Sequence, residues 1–216
     1  MVEQIANPSA TESAPETGRF FVIEPSLWED APGPGLELAN MDQLLAPGAF
    51  AMEPPNGDPG QYPQRPHLVR VPSLGGAPRD FEMLASLWIV SAALKRVFES
   101  VDPQGFAFVA CDYTLADGSA GADYYLCNVV RWLDALDLGA SRVKVKLDHD
   151  YETGEDVEFY SILGGARLRF RADLVGGAHV FRQARLRTGP VCDRVLFDAV
   201  NAAGLGGVEF RDVADL

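Results

Sequence analysis

Three segments in the C-terminal half alternate between apolar and polar residues, and this alternation constrains the fold more than any other feature. They are DVEFYSI (156–162), ARLRFRADL (166–174) and AHVFRQARL (178–186), and glycine-containing turns separate them. Successive side chains of a β-strand point to opposite faces, so Leu168 and Phe170 are expected to face a core. Together with the preceding RVKVKLD (142–148), the segments predict an antiparallel meander with one solvated face.

Two ten-residue segments have apolar residues at helical spacing and begin directly after a capping residue. Ser91 precedes AALKRVFESV (92–101), and Asp193 precedes RVLFDAVNAA (194–203). Ser and Asp side chains accept hydrogen bonds from the free amides of a first helical turn. Each helix stands between strand-like segments, so the sequence predicts a strand–helix–turn–strand unit in both places, with Gly204 ending the second helix.

The N-terminal third is rich in proline and predicts little regular structure. Residues 1–18 are polar and are expected to form a disordered tail. Residues 53–66 contain five prolines and two glycines, which predicts a loop without helix or strand. Residues 19–216 are expected to form a single α+β domain. Its predicted architecture is a largely antiparallel central sheet, helices packed on one side, and a proline-rich irregular N-terminal layer.

Charge and cysteine content exclude several classes of protein. A net charge of -13 disfavours a nucleic-acid partner, because phosphates must be met by cations. The three cysteines, Cys111, Cys127 and Cys192, form neither a disulfide framework nor a zinc motif. The N-terminus has no basic and apolar signal, and no segment is long and apolar enough to span a membrane. These features predict a cytoplasmic protein without a membrane partner.

The segment DYYLCNVVRWLDALDLG (123–139) is interpreted as one helix. Leu126, Val129 and Leu133 belong to an apolar stripe at helical spacing, and Cys127 beside it is expected to be a small buried side chain. Asp134 and Asp137 would then lie near the helix C-terminus, where the helix dipole disfavours negative charge. They are either members of structural ion pairs or an acidic surface that meets a partner.

A second acidic group lies in DHDYETGEDVEF (148–159). Its spacing fails as a calcium loop because Thr153 and Phe159 occupy the positions of the required glycine and glutamate. His67, His149 and His179 lack metal-ligand spacing, and neither a catalytic motif nor a cofactor motif occurs. No catalytic, metal or cofactor site is therefore predicted. The predicted interface residues are Asp148, Asp150, Glu152, Glu155, Asp156 and Glu158 at a hairpin tip, with Asp134 and Asp137.

The run YYLCNVVRWLDALD resembles a bacterial immunity-protein family of polymorphic toxin systems. The family was first noticed beside a myxobacterial toxin gene and was long described as a domain of unknown function. Its helix motif has the form Y-x-L-x-N-V-x-x-x-x-D-A-L-D, and Asn128, Asp134 and Asp137 fill three of its polar places here. The resemblance covers roughly residues 19–213, including HVFR and the closing AGLGGVEF. Asn128 is expected to anchor a neighbouring backbone.

The resemblance implies a cytoplasmic antidote that binds one cognate toxin and blocks it without chemistry of its own. Such toxins pass between bacteria by contact-dependent or type VI secretion, as effector–immunity pairs. A toxin with a basic active-site cleft would suit the acidic residues, and the oligomeric state stays open. Two alternatives remain: an enzyme with Cys127 or Cys111 as nucleophile, and an adaptor or chaperone of a secreted effector.

Overall fold

The computed structural model describes residues 4–6, 17–46, 48–49, 51–149 and 154–216. These residues divide into two compact units. Unit 1 comprises the described residues up to Ile23, then Arg131–Phe197 and Phe210–Leu216. Unit 2 comprises Glu24–Val130 and Asp198–Glu209. Each unit is described by itself below.

Unit 2 is built around two sheets. Its elements are β3 (Pro34–Leu38), α1 (Met41–Leu44), β4 (His67–Gly75), β5 (Phe81–Leu84), β6 (Leu87–Ser91), α2 (Ala92–Val101), β7 (Phe106–Ala110), β8 (Asp112–Thr114) and β9 (Tyr124–Val129). One sheet has the order β3-β4-β8, and the other has the order β5-β6-β9-β7. The second sheet is antiparallel throughout, whereas β4 and β8 run parallel.

Helix α2 forms as the sequence predicts. The Ser91 side chain accepts a hydrogen bond from the Leu94 amide at 3.2 Å, which caps the first turn. The buried face of the helix carries Phe98, whose ring stacks on Phe106 of β7 with centroids 4.3 Å apart. The predicted strand–helix–turn–strand unit is therefore confirmed between β6 and β7.

Unit 1 is also built mainly of strands. Its elements are β1 (Gln4–Ala6), β2 (Phe20–Pro25), β10 (Trp132–Leu133), β11 (Val143–His149), β12 (Asp156–Ser161), α3 (Ala172–Val175), β13 (Val180–Gln183), β14 (Val191–Asp193), α4 (Arg194–Ala203) and β15 (Val208–Asp212). The last residues of β2 and α4 and the first residues of β15 belong to unit 2. The sheet orders are β1-β11-β12 and β10-β13-β14-β2-β15. Phe20, Phe170 and Phe181 meet edge to face in the core, with centroids 5.3–6.3 Å apart.

The C-terminal strand–helix–turn–strand prediction is also confirmed. Asp193 Oδ1 accepts hydrogen bonds from the amides of Val195 and Leu196 at 3.0 and 3.1 Å and so caps α4. Gly204 follows the helix with φ +63°, a backbone conformation that glycine adopts at little cost.

The helix predicted for residues 123–139 is wrong. Residues 124–129 form strand β9 between β6 and β7, and residues 132–133 form the short strand β10. An inner strand buries apolar side chains on both faces, so a short apolar run there has the same composition as a buried helix. Leu126 and Val129 are buried as expected, but they belong to a sheet.

The predicted four-strand meander is only partly correct. Strands β11 and β12 form an antiparallel hairpin, but β13 pairs with β14 and, in parallel, with β10. The segment 166–174 forms isolated bridges followed by α3, although Leu168 and Phe170 are buried and Arg167 and Arg171 are exposed, as expected. The reason is that its amides bond to several segments, including Arg167 to Arg142 and Leu168 to Val213.

The α+β class and the prevalence of antiparallel pairing are confirmed. In the described part of the chain, however, the strands divide among four sheets instead of one central sheet. Residues 53–66 contain neither helix nor strand, as predicted. The predicted tail falls largely outside the described residues; within it, Gln4–Ala6 pairs antiparallel with β11.

Candidate functional site

The β11–β12 hairpin of unit 1 carries most of the predicted interface residues. Its register runs from Lys144 opposite Ser161 to His149 opposite Asp156. Val143 and Tyr160 are buried in the unit 1 core, whereas residues 147–149 and 154–158 at the other end of the hairpin are exposed. A strand of seven residues extends over about 20 Å. The acids near the turn therefore lie at the solvent-exposed end of the hairpin, away from the core.

Asp148 and Asp156 of the hairpin pair with basic side chains. The Asp148 carboxylate accepts a hydrogen bond from the Arg187 guanidinium, and this bond lowers the pKa of Asp148. Asp156 Oδ1 lies 2.9 Å from His149 Nδ1 on the opposite strand. Glu155 and Glu158 are exposed on the same hairpin. Asp150 and Glu152 lie outside the described residues.

Asp134 and Asp137 do not stand on a helix, so no helix dipole acts on them. Asp134 pairs with Arg185 at 3.1 Å and accepts a hydrogen bond from the buried Gln183 amide at 3.0 Å. Asp137 accepts a hydrogen bond from the Ala140 amide at 3.2 Å. Asp134 is thus a member of an ion pair and remains exposed beside the segment that follows β13.

The structure adds residues to this surface that sequence reasoning did not select. Trp132 is 63% exposed, and the Arg182 guanidinium lies 5.9 Å from its ring centroid. Arg185 and Arg187 hold Asp134 and Asp148. Arg182 and Arg185 lie in the alternating segment 178–186, whose alternation predicts a solvated sheet face and does not indicate a binding role. The exposure of Trp132 does not follow from the sequence, because the helix predicted for residues 123–139 gives no sign of its position in strand β10.

The three cysteines are buried and poorly suited to nucleophilic catalysis. Burial raises the pKa of the Cys111 thiol to about 12 and holds the pKa of Cys192 well above its ordinary value. Cys127 is 1% exposed inside the sheet of unit 2. Because the thiolate is the reactive form, a raised pKa suppresses reaction at neutral pH. These environments argue against the cysteine-enzyme alternative.

Each histidine bonds to a polar side chain. His67 Nε2 lies 2.8 Å from Thr114 Oγ1, and His179 Nδ1 lies 2.8 Å from Asp193 Oδ2. His179 and Asp193 border a cavity of about 180 Å³, but the described residues that line it include no serine, threonine or cysteine. Among the described residues, no three His, Cys, Asp or Glu side chains lie close enough to hold a metal ion.

Asn128 has the anchoring role expected for it. Its Nδ2 donates a hydrogen bond to the Pro55 carbonyl at 2.9 Å, which ties the proline-rich loop to β9 within unit 2. Tyr62 and Gln61 hold the same loop through the carbonyls of Glu53 and Pro54. This polar residue of the motif therefore serves the fold of unit 2.

A family sequence model matches most of the chain. The sequence model of the Immunity protein family (Imm11) matches residues 19–215. No curated protein sequence matches the chain significantly. None of the helices in the described ranges has the length and apolar character that a membrane crossing requires.

Proposed function

Because the chain belongs to the Immunity protein family (Imm11), we propose that it binds one cognate protein toxin and neutralises it by covering the toxin's functional surface. The family match over residues 19–215 carries the proposal. Occlusion needs complementary surfaces and no reactive group, which agrees with the raised thiol pKa values of Cys111 and Cys192. Residues 19–216 are proposed to act as one immunity domain.

The proposed contact region includes the acidic end of the β11–β12 hairpin. Glu155, Asp156 and Glu158 are exposed there within three residues of one another. Asp148, Asp150, Glu152, Asp134 and Asp137 complete the proposed set. A concentrated negative charge attracts a basic counterpart and raises the association rate. A toxin with a basic cleft, such as one that acts on nucleic acid, has the matching charge.

The proposed place of action is the bacterial cytoplasm, where a toxin delivered by contact-dependent or type VI secretion would be met. Lasting protection needs an interface of about the standard 1,600 Å² or more. An interface of that size takes about 20–30 residues from each partner. The two strands of the hairpin have seven and six residues, so neighbouring residues of unit 1 are included in the proposal.

Co-expression tests the proposal directly. The product of the gene adjacent to this chain's gene is tested as the toxin and is expressed in a bacterial host, alone and together with the chain. Growth arrest by the toxin alone, restored growth with the chain, and co-purification of the two proteins are the expected results. Arrest that continues at equal expression of the chain, with no complex on size-exclusion chromatography, would contradict it. Truncations of the toxin protein to its toxic domain separate an antidote from an adaptor, which would bind elsewhere.

A further inference from the structure

Three arginines follow one another after the start of β13, and each lies over an aromatic ring. The distances from guanidinium carbon to ring centroid are 5.9 Å for Arg182 and Trp132, 6.0 Å for Arg185 and Tyr160, and 3.7 Å for Arg187 and Phe159. Distances up to about 6 Å allow attraction between the cation and the ring face. Trp132, Arg185 and Arg187 are exposed, and Phe159 and Arg182 are half-buried. These five residues are called the arginine–aromatic strip below.

Backbone hydrogen bonds make the strip continuous. On one side, the Arg182 amide donates to the Arg131 carbonyl at 2.8 Å, next to β10. On the other side, the Tyr160 amide of β12 donates to the Arg185 carbonyl at 2.7 Å. The segment 182–187 thus connects β10 to the β11–β12 hairpin within unit 1. At its other end, Arg187 donates a hydrogen bond to Asp148 of β11, so the strip connects Trp132 with the acidic part of the hairpin.

Strand alternation explains why Trp132 lies outside the core. Trp132 is paired with Arg182, and the next pair, Leu133 and Gln183, points inward. Gln183 is buried, and Leu133 packs against the unit 1 core. Trp132 is left 63% exposed. The fold gains little from an indole in this position, whereas tryptophan and arginine are the residue types most enriched among energetically dominant interface residues.

The charge of the strip differs from that of the chain as a whole. Asp134 and Asp148 are paired with Arg185 and Arg187 of the strip, so these two acids leave no unbalanced negative charge there. The chain as a whole carries a net charge of -13. A basic cleft is therefore a poor counterpart for the strip. Its complement is an apolar recess with carboxylate or carbonyl oxygens at the edge, which can accept from guanidinium groups.

We propose that the arginine–aromatic strip is the anchor of the toxin interface, with the Trp132 indole inserted into an apolar recess of the toxin. The acidic end of the hairpin forms a charged rim beside this anchor. This inference rests on the proposed function and adds the energetic centre of the contact and the chemistry of the toxin surface. A central aromatic anchor with a polar rim is the usual organisation of a tight protein interface.

Affinity measurements with the full chain and a purified, catalytically inactivated form of the toxin identified by co-expression test the inference. Trp132→Ala is expected to weaken binding at least about 30-fold, as removal of a dominant interface residue does. Arg182→Ala is expected to weaken it about 5- to 10-fold, and Trp132→Phe to retain part of the affinity. Leu163→Ala is the matched control, because Leu163 is 72% exposed in unit 1 outside the strip; it should change binding less than about 2-fold.

The possible outcomes separate the two proposals. If the unaltered chain fails to bind the toxin domain, the proposed function fails and the inference falls with it. If the unaltered chain binds and both Trp132→Ala and Arg182→Ala bind equally well, only the inference is overturned. A dimer that becomes monomeric on Trp132→Ala, with unchanged toxin affinity, would identify the strip as a self-association surface and also overturn it. Thermal unfolding of each variant shows that a loss of affinity does not come from misfolding.

Discussion

Each unit contains a carboxylate, an arginine and an aromatic ring in contact, and the two groups differ mainly in burial. In unit 2, Glu82 bonds to Arg79, whose guanidinium lies 4.3 Å from the Trp28 ring centroid. In unit 1, Asp148 bonds to Arg187, which lies 3.7 Å from the Phe159 ring centroid. Glu82 is 1% exposed, whereas the Asp148 side chain is about half exposed, at 49%.

Burial gives the two groups different consequences. Both oxygens of Glu82 are satisfied: Oε1 accepts from the Arg79 amide at 2.7 Å, and Oε2 accepts from Trp28 Nε1 at 2.9 Å. Removal of one member of the buried group would leave a charge that is shielded from water and has lost its partner. The buried group therefore holds the surrounding chain in one arrangement. The exposed group exchanges protein contacts for water at little cost. It holds an arginine and a ring in place on a surface that a partner can reach.

Removal of the buried carboxylate should have the largest effect on stability. We expect Glu82→Ala to lower the free energy of unfolding by about 3–5 kcal/mol, because Arg79 and the Trp28 indole lose their acceptor. Chemical denaturation followed by circular dichroism measures the change. Glu158→Ala on the exposed hairpin is the control and should stay within about 0.5 kcal/mol. Equal losses of unfolding free energy in the two variants would show that burial of the carboxylate does not set its contribution to stability.

Substitution of one glycine in each unit tests the difference between the buried group and the exposed group. A Cβ at Gly76 would lie 2.4 Å from Trp28 Cζ3, on a ring that Glu82 and Arg79 hold in place. Gly76→Ala should therefore cost about 2–3 kcal/mol of unfolding free energy. Gly154, at the hairpin turn, has φ +73° and open space around it. Gly154→Ala should cost only about 1 kcal/mol, from backbone strain alone. A smaller loss at Gly76 than at Gly154 would show that the Trp28 ring moves freely.

Charge reversal at the hairpin should affect association more than stability. We expect Glu155→Lys with Glu158→Lys to slow toxin association about 10-fold at low salt, since local negative charge steers the encounter. Stopped-flow measurements at two salt concentrations report the rate. Asp42→Lys with Glu209→Lys makes the same change in net charge on exposed residues of unit 2. Equal slowing by both pairs would assign the effect to total charge and not to the hairpin.

The smallest effect on stability is expected from loss of the exposed Asp148–Arg187 ion pair. The hydrogen bond from Arg187 lowers the pKa of Asp148 below its ordinary value of 3.8 in the folded chain. The pair therefore contributes stability above about pH 4, and the contribution disappears as the pH falls through the lowered pKa. Unfolding midpoints of the unaltered chain and Asp148→Asn should differ slightly at neutral pH and converge in acid. A difference that grows on acidification would contradict this assignment.

The sequence correctly predicted the elements that are determined by interactions between neighbouring residues. The caps Ser91 and Asp193, the apolar faces of the two ten-residue helices and the loop 53–66 all follow from neighbouring residues. The inward positions of Leu168 and Phe170 follow from alternation. In each case the deciding interaction lies within a few residues or within one strand period, so the sequence alone contains it.

Contacts between residues that are distant along the chain decided the remaining features of the fold and of the candidate site. Whether residues 124–129 form a helix or a strand depends on β6 and β7 on either side, because a short apolar run suits both. The partners of Asp134 and Asp148 lie 51 and 39 residues away, and the exposure of Trp132 follows from its pairing with Arg182. The sequence thus determined the family, the class and the local caps. Only the tertiary structure decided which acids are paired and which aromatic side chain faces solvent, because those contacts join residues that are distant along the chain.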